Sequence, residues 1–500
     1  MKSVVQMYPD CIHESARYRV PVSCPDSVTL RVVRTPPGAY IRHRNRTGSS
    51  AHAGRTCGCA GFDRRCVAAA STHTGSTFML NRNKETVDSG LSRRRFLSGA
   101  LAGGLAGAAM TLTDRLALAQ TMAKGGLTAK DIHGIGVEPG FVRMALNENP
   151  IGPSPRALEA IAENMFKINR YSFGGGDIYS ALAEFDGIEL PPPREMPSGM
   201  GGMGGGGFRR RRRTPFFITA GSGALLTQIA LAYLSKGGTE VIEADMGYGD
   251  VAGEAEDYLE AGIDVNIIRT PMKNHKHDLD AMLAAITPKT SVVVITNPNN
   301  PTGTLLSFEE QEKFVNAVPS NVLVVIDEAY IHFVRDPAYR TAVSLATSHD
   351  NVIVTRTFSK VFGMPGMRLG YGICSQAIQQ KLGFYSTGRA NALAYAAGEA
   401  SLKDRNHYNR SRAVVQHFRD RLEDEFTKMG LEYIPSESNF MMVDLGKPSM
   451  NIMREMFRKG VMVTNRRRQQ MPTWIRVSSG DERETEVFLN VLKEALGKTS

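Results

Sequence analysis

From Gln120 onward the apolar positions fall into two recurring patterns. Ala157, Leu158, Ile161, Met165 and Phe166 recur at helical spacing behind Ser154-Pro155, a cap residue followed by proline at the first helical position, so a helix starts there. Short β-branched runs follow at 240–243, 265–268, 291–296, 322–326 and 352–355, most of them separated by helical stretches. Continuous apolar strands of this length alternating with helices predict a buried, mainly parallel sheet and an α/β fold. The rhythm changes in the last hundred residues. A long charged helix over about 391–429 precedes short strands near 440–443 and 474–477 and a final helix, which predicts a smaller α+β domain.

Composition changes this picture mainly by dividing the chain. The 500 residues are 42% hydrophobic, ample for a sizeable core, and no run of about 20 strongly apolar residues predicts a membrane span. The net charge of +10 suggests nucleic-acid binding until it is located: residues 1–78 carry 11 Lys/Arg against 4 Asp/Glu, and 79–119 carry 6 against 3. The body from residue 120 is therefore neutral overall, and no nucleic-acid partner is expected. Five of the six cysteines also lie early, at 11, 24, 57, 59 and 66, with Cys374 alone in the body. Cys57, Cys59, Cys66 and His73 match no common zinc-ligand spacing, so no metal is predicted.

Residues 1–78 show no sustained periodicity, and the reading expects them to be disordered or to precede the true start at Met79. Ser92-Arg93-Arg94-Arg95-Phe96-Leu97-Ser98 resembles the twin-arginine export signal, and an Ala/Gly-rich apolar run and an Ala117-Leu118-Ala119 cleavage site follow it in order. Residues 79–119 are thus expected to be a signal peptide, engaging the twin-arginine machinery and delivering a folded periplasmic protein. Residues 190–213 run from prolines through a Gly/Met tract to five arginines, and can bury almost nothing; a flexible surface insertion is expected.

Three segments carry the chemistry. A strand enters the turn Thr296-Asn297-Pro298-Asn299-Asn300-Pro301; a second strand ends in Asp327-Glu328-Ala329-Tyr330; a third leads into Thr357-Phe358-Ser359-Lys360, with Arg368 eight residues on. A lysine after a strand can form a Schiff base with an aldehyde. An aspartate at a strand end can hold a pyridine nitrogen protonated, and Asn and Tyr can hydrogen-bond a phenolate oxygen. Arg, Ser/Thr and the helix start at Gly221-Ser222-Gly223 can hold a phosphate. Together these groups suit pyridoxal 5′-phosphate.

Over residues 147–500 these motifs resemble the class I/II aminotransferases, the fold type I pyridoxal-phosphate enzymes. The histidinol-phosphate aminotransferase branch is the nearest in likeness, beginning with Leu146-Asn-Glu-Asn-Pro-Ile-Gly-Pro-Ser-Pro155. The resemblance implies an N-terminal segment (120–165) packed with the small domain, a large cofactor domain (166–385) and a small C-terminal domain (386–500). It implies that Lys360 is the Schiff-base lysine and proton carrier, and that Asp327 pairs with the ring nitrogen. Asn300 and Tyr330 would contact the ring hydroxyl, Tyr248 would stack on the ring, and Gly221, Ser222, Gly223, Thr357, Ser359 and Arg368 would hold the phosphate. Tyr171 would reach a neighbouring subunit's phosphate, which implies a homodimer; Arg476 would take a substrate carboxylate and Asn439 would lie beside it. Two substrate-side positions depart from the branch: Ile151 replaces its aromatic residue, and Gly460-Val-Met-Val463 leads into Thr464-Asn465-Arg466-Arg467-Arg468 rather than an Arg-Pro pair. The expected activity is ping-pong transamination between an amino donor and a 2-oxo acid. A lyase or decarboxylase of the same fold is the alternative the motifs leave open.

Overall fold

The computed structural model describes residues 126–170, 177–191, 214–386, 388–466 and 471–498. The export motif, the early cysteines, Tyr171 and residues 192–213 lie outside these. No helix among the described residues is long and apolar enough to cross a membrane.

The strands, in chain order, are β1 (Val142–Arg143), β2 (Phe216–Thr219), β3 (Thr239–Ala244), β4 (Val265–Thr270), β5 (Met272–Lys273), β6 (Lys276–His277), β7 (Thr290–Thr296), β8 (Leu323–Asp327), β9 (Val352–Thr357), β10 (Gly370–Cys374), β11 (Tyr433–Ile434), β12 (Phe440–Asp444), β13 (Val461–Met462), β14 (Thr464–Arg466) and β15 (Met471–Ser478). Seven of them form one sheet in the order β2-β10-β9-β8-β7-β3-β4. β3, β4, β7, β8 and β9 pair in parallel, and β10 runs antiparallel to both its neighbours. The apolar runs are continuous because both faces are covered. Ile242, Val293, Ile295, Val324, Ile326 and Val354 face one core, and Val241, Val292, Val294, Val325 and Ile353 face the other.

The second sheet, in the order β11-β12-β15-β14, is antiparallel. Its inner face joins Leu127, Ile132, Val142 and Met144 of the N-terminal segment in a separate core with Phe418, Phe426, Val443, Val477 and Phe488. β1 pairs with β13 at its side.

The structure differs from the sequence reading in two places. The charged run expected as one helix over 391–429 is two, Ala392–Lys403 and Arg405–Lys428, divided at Asp404, whose side chain accepts from His407 N–H at 3.1 Å. The first packs on the helices Pro155–Asn164 and Ile178–Asp186 of the large-sheet core, and the second crosses to the other core through Phe418, Leu422 and Phe426. β10 carries no strand pattern, since glycines occupy two of its five positions, and the sequence reading places no strand on the short apolar run of β2. A Cβ on Gly370 would strike the Ser222 backbone nitrogen, so only glycine lets β10 lie against the start of the helix Ser222–Leu234.

Behind the sheet, Arg356 is 3% exposed and joins two buried carboxylates. Its Nη1 donates to Asp186 at 2.5 Å, and its Nη2 and Nε donate to Glu328 at 2.6 and 3.0 Å. Removing one partner of a buried ion cluster strands the others' charge. Arg356→Met is therefore expected to lower the unfolding free energy by about 3–5 kcal/mol in a urea titration; a loss below about 1 kcal/mol would mean the carboxyls find other compensation.

Candidate active site

The carboxyl ends of β7, β8 and β9 and the start of the antiparallel β10 share one edge of the sheet, because Gly370 pairs with Thr357 on one side and Thr219 on the other. Ligand groups collect at such an edge. Asp327 closes β8 there and is 2% exposed. Thr355, its register partner on β9, donates to Oδ1 at 2.7 Å. Burial nevertheless pushes the Asp327 carboxyl up to about 7, with the nearby Asp250 charge adding to the rise. A cationic N–H directed at Asp327 would return it to the ionised form.

Lys360 lies three residues beyond β9. Its Nζ donates to the backbone oxygens of Asn147 at 3.0 Å and Leu146 at 3.3 Å and lies 5.5 Å from the centre of the Tyr330 ring. The Tyr330 oxygen accepts from Asn147 Nδ2 at 3.0 Å and Asn300 Nδ2 at 3.4 Å, and its ring sits edge-on to Phe440 at 5.0 Å. Asn300 Oδ1 accepts from Arg476 Nη1 at 2.6 Å. Arg476, on β15, is buried; its Nη2 donates to Ala145 O at 3.0 Å, its Nε has no partner, and among the described residues no carboxylate pairs with it. Burial lowers its proton affinity, the direction that a bound anion would reverse. Asn439 donates to the backbone oxygens of Asn147 and Glu148 at 3.0 and 3.2 Å, leaving its buried Oδ1 unpartnered.

A cradle forms at the β2–β10 end. Gly221 caps the helix Ser222–Leu234 with φ +99°, and a Cβ there would strike the Arg368 guanidinium, so the helix start and this cation approach each other only across a glycine. Arg368 itself holds φ +54° and donates to Pro365 O at 3.1 Å. Gly223 follows in the first turn, Thr357 ends β9 buried, and its Oγ1 accepts from Ser359 N–H at 3.1 Å. A guanidinium, hydroxyls and the N–H groups of a helix start are the donors a phosphate requires. Tyr248 stands 44% exposed, hydrogen-bonded to Asp250 and within electrostatic range of Tyr330 and Asp327. Tyr171 lies outside the described residues.

The residues present fit pyridoxal 5′-phosphate: an anion cradle, a buried carboxyl short of a cationic partner, and a lysine amine with a phenol beside it. The structure joins Lys360, Tyr330, Asn300, Arg476 and Asn439 through direct contacts or a shared partner, Asn147. Sequence reasoning missed Thr355, which strand register brings to Asp327, and Asp250, which holds Tyr248. It also missed the part taken by Asn147, although the motif Asn147-Glu-Asn-Pro contains it.

The family described as "Aminotransferase class I and II" matches residues 208–492. A histidinol-phosphate aminotransferase of Moorella thermoacetica is 34% identical over 360 residues, covering 71% of this chain and 85% of that one. Histidinol-phosphate aminotransferase 2 of Pseudomonas fluorescens is 34% identical over 362 residues, covering 72% and 90%. Among solved structures, the histidinol-phosphate aminotransferase of Sinorhizobium meliloti, in complex with pyridoxal-5′-phosphate, is similar with a TM-score of 0.62 at 23% identity, covering 82% of this chain and all of that one.

Proposed function

The chain belongs to the class I and II aminotransferase family and is a pyridoxal-phosphate-dependent transaminase of fold type I, and from that premise we propose how its own residues divide the work. Pyridoxal 5′-phosphate bound at this edge supplies an electron sink for the charge left when a Cα proton departs. Lys360 is the proton carrier: its Nζ would take the proton from the donor's Cα and pass it to the cofactor carbon that bears the amine, and in the reverse half-reaction would deliver a proton to Cα. Asp327, buried and otherwise costly to ionise, holds the ring nitrogen protonated. Tyr330 and Asn300 hold the ring hydroxyl, and Tyr248 covers the ring. Gly221, Ser222, Gly223, Thr357, Ser359 and Arg368 hold the phosphate. The same groups act on a 2-oxo acid in the reverse half-reaction, so the two substrates alternate.

The observation that carries the substrate reading is Arg476, a buried guanidinium with an unpartnered Nε and no carboxylate mate among the described residues. A donor bearing an α-carboxylate supplies that mate, with Asn439 beside it. Arg476 would serve the carboxylate of the 2-oxo acid as well as that of an amino-acid donor, and it is the departures at Ile151 and Thr464-Asn465 on the substrate side that lead us to take the donor to be an α-amino acid rather than histidinol phosphate. The test is a donor panel that includes histidinol phosphate, added to the cofactor-loaded protein, with bleaching of its visible band followed in time. An amino acid is expected to react fastest; fastest reaction with histidinol phosphate would overturn the donor assignment while leaving transamination intact. Arg476→Lys loses the forked geometry and is expected to raise KM for a carboxylate donor about 100-fold, with a smaller change in kcat; an unchanged KM would place the carboxylate elsewhere.

A homodimer is part of the same reading. Phe166 and Ile168 are 71% and 67% exposed on the short turn Met165–Asn169 that leads to Tyr171, an apolar surface suited to a second copy. Sedimentation should give twice the chain mass, and a monomer at micromolar concentration would contradict it. The motif at 92–98 supports twin-arginine export to the periplasm. Arg93→Lys with Arg94→Lys should retain the protein in the cytoplasmic fraction.

A further inference from the structure

Resting on the cofactor reading above, we propose that Asn147 is a positioning residue that fixes Tyr330 as the hydrogen-bond donor to the cofactor's ring oxygen, with Ser478 holding the Asn147 amide in register. The directions of the hydrogen bonds are mutually consistent. Asn147 is 2% exposed in the left-handed region at φ +54°. Its backbone N–H donates to Ser478 Oγ at 2.8 Å, so the Ser478 proton goes elsewhere, and Asn147 Oδ1 accepts it at 2.9 Å. With its carbonyl fixed on Ser478, the amide turns Nδ2 to the Tyr330 oxygen at 3.0 Å. Asn300 is fixed likewise. Its Oδ1 accepts from Arg476, which can only donate, so its Nδ2 faces Tyr330 at 3.4 Å.

The Tyr330 oxygen thus receives two N–H donors, and its own O–H cannot turn onto either. That proton is left for an acceptor in the cofactor space, beside Lys360. Both amides tie the phenol to β15, Asn300 through Arg476 and Asn147 through Ser478, and Asn147 makes the closer contact of the two.

The test is a pH titration of the visible absorption band of the lysine-bound cofactor, in the full-length protein and in Asn147→Gly. Glycine adopts φ +54° without strain and keeps the backbone bonds to Ser478, Lys360 and Asn439, so the substitution removes the amide alone. A ring oxygen with a weakened donor is more basic and raises the proton affinity of the lysine-bound cofactor. The midpoint is expected to rise by about half a unit to one unit, roughly 3- to 10-fold in proton affinity. In a Tyr330→Phe background the same substitution should move the midpoint no further. Ser478→Ala, which frees the amide to turn, should shift the midpoint the same way by less, and supplies the measurement if Asn147→Gly does not load cofactor. Unmoved midpoints in both variants, or a glycine shift that adds in full to that of Tyr330→Phe, would overturn the assignment. An unaltered protein with no visible band would overturn the cofactor reading and this assignment with it.

Discussion

Lys360→Ala is expected to lower the transamination rate by about 10⁴-fold, the upper range for loss of a positioned proton carrier. The reason is geometric. The Lys360 amine is held by two backbone carbonyls, 5.5 Å from the centre of the Tyr330 ring, with Asp327 on the adjoining strand end. Among the described residues no other lysine enters the hydrogen bonds of this group. The same substitution removes the proposed covalent attachment point, so the visible absorption of the cofactor-loaded protein should be lost with the rate. Because Lys360 makes no ion pair among the described residues, thermal unfolding of the cofactor-free protein should change little. Stopped-flow half-reactions with and without the substitution measure the first effect, and a variant retaining more than about a tenth of the rate would exclude Lys360 as the carrier.

Asp327→Asn is expected to cost about 10³-fold in rate, equivalent to removing one partner of a buried charge pair. Without cofactor the carboxyl is pushed up to about 7 by burial, against an ordinary value of 3.8. The sign of the pH effect follows. Between those two values the folded protein binds the proton and the unfolded chain has lost it, so the Asp327 contribution to stability falls as pH rises from about 4 to 7. Asparagine cannot titrate. The cofactor-free Asp327→Asn protein should therefore lose less stability over that interval than the unaltered one, while binding cofactor more weakly. Urea midpoints at pH 5 and pH 7 read the difference. Equal slopes in the two proteins would mean that Asp327 is ionised without a cationic partner.

The parts of this molecule that were legible in the sequence are those whose signal is local. The valine runs of β7 and β8 read as strands because both faces are covered, and Asp327 and Lys360 read as site residues because one closes a strand and the other follows a strand end by three positions, with Arg368 eight residues beyond Lys360. β10 was not legible, since Gly370 and Gly372 give up apolar side chains to let Ser222 and Leu225 approach. The break at Asp404 was hidden between two helical runs that follow each other without a proline or glycine between them, although Asp404 itself is a capping carboxylate. Thr355 reaches Asp327 only through parallel register, and Ser478 reaches Asn147 across 331 residues. Neither separation leaves a trace in one sequence. The resemblance to a family supplied the roles of such residues as Arg476 and Asn439, whose neighbours in sequence mark them only as strand and loop.

The most direct test of the central claim is reduction of the cofactor-loaded protein with borohydride, followed by digestion and mass analysis of the peptides. A cofactor-derived mass fixed to the Lys360 side chain is the predicted result. An adduct on another lysine, or none in a protein that retains its visible absorption, would contradict it.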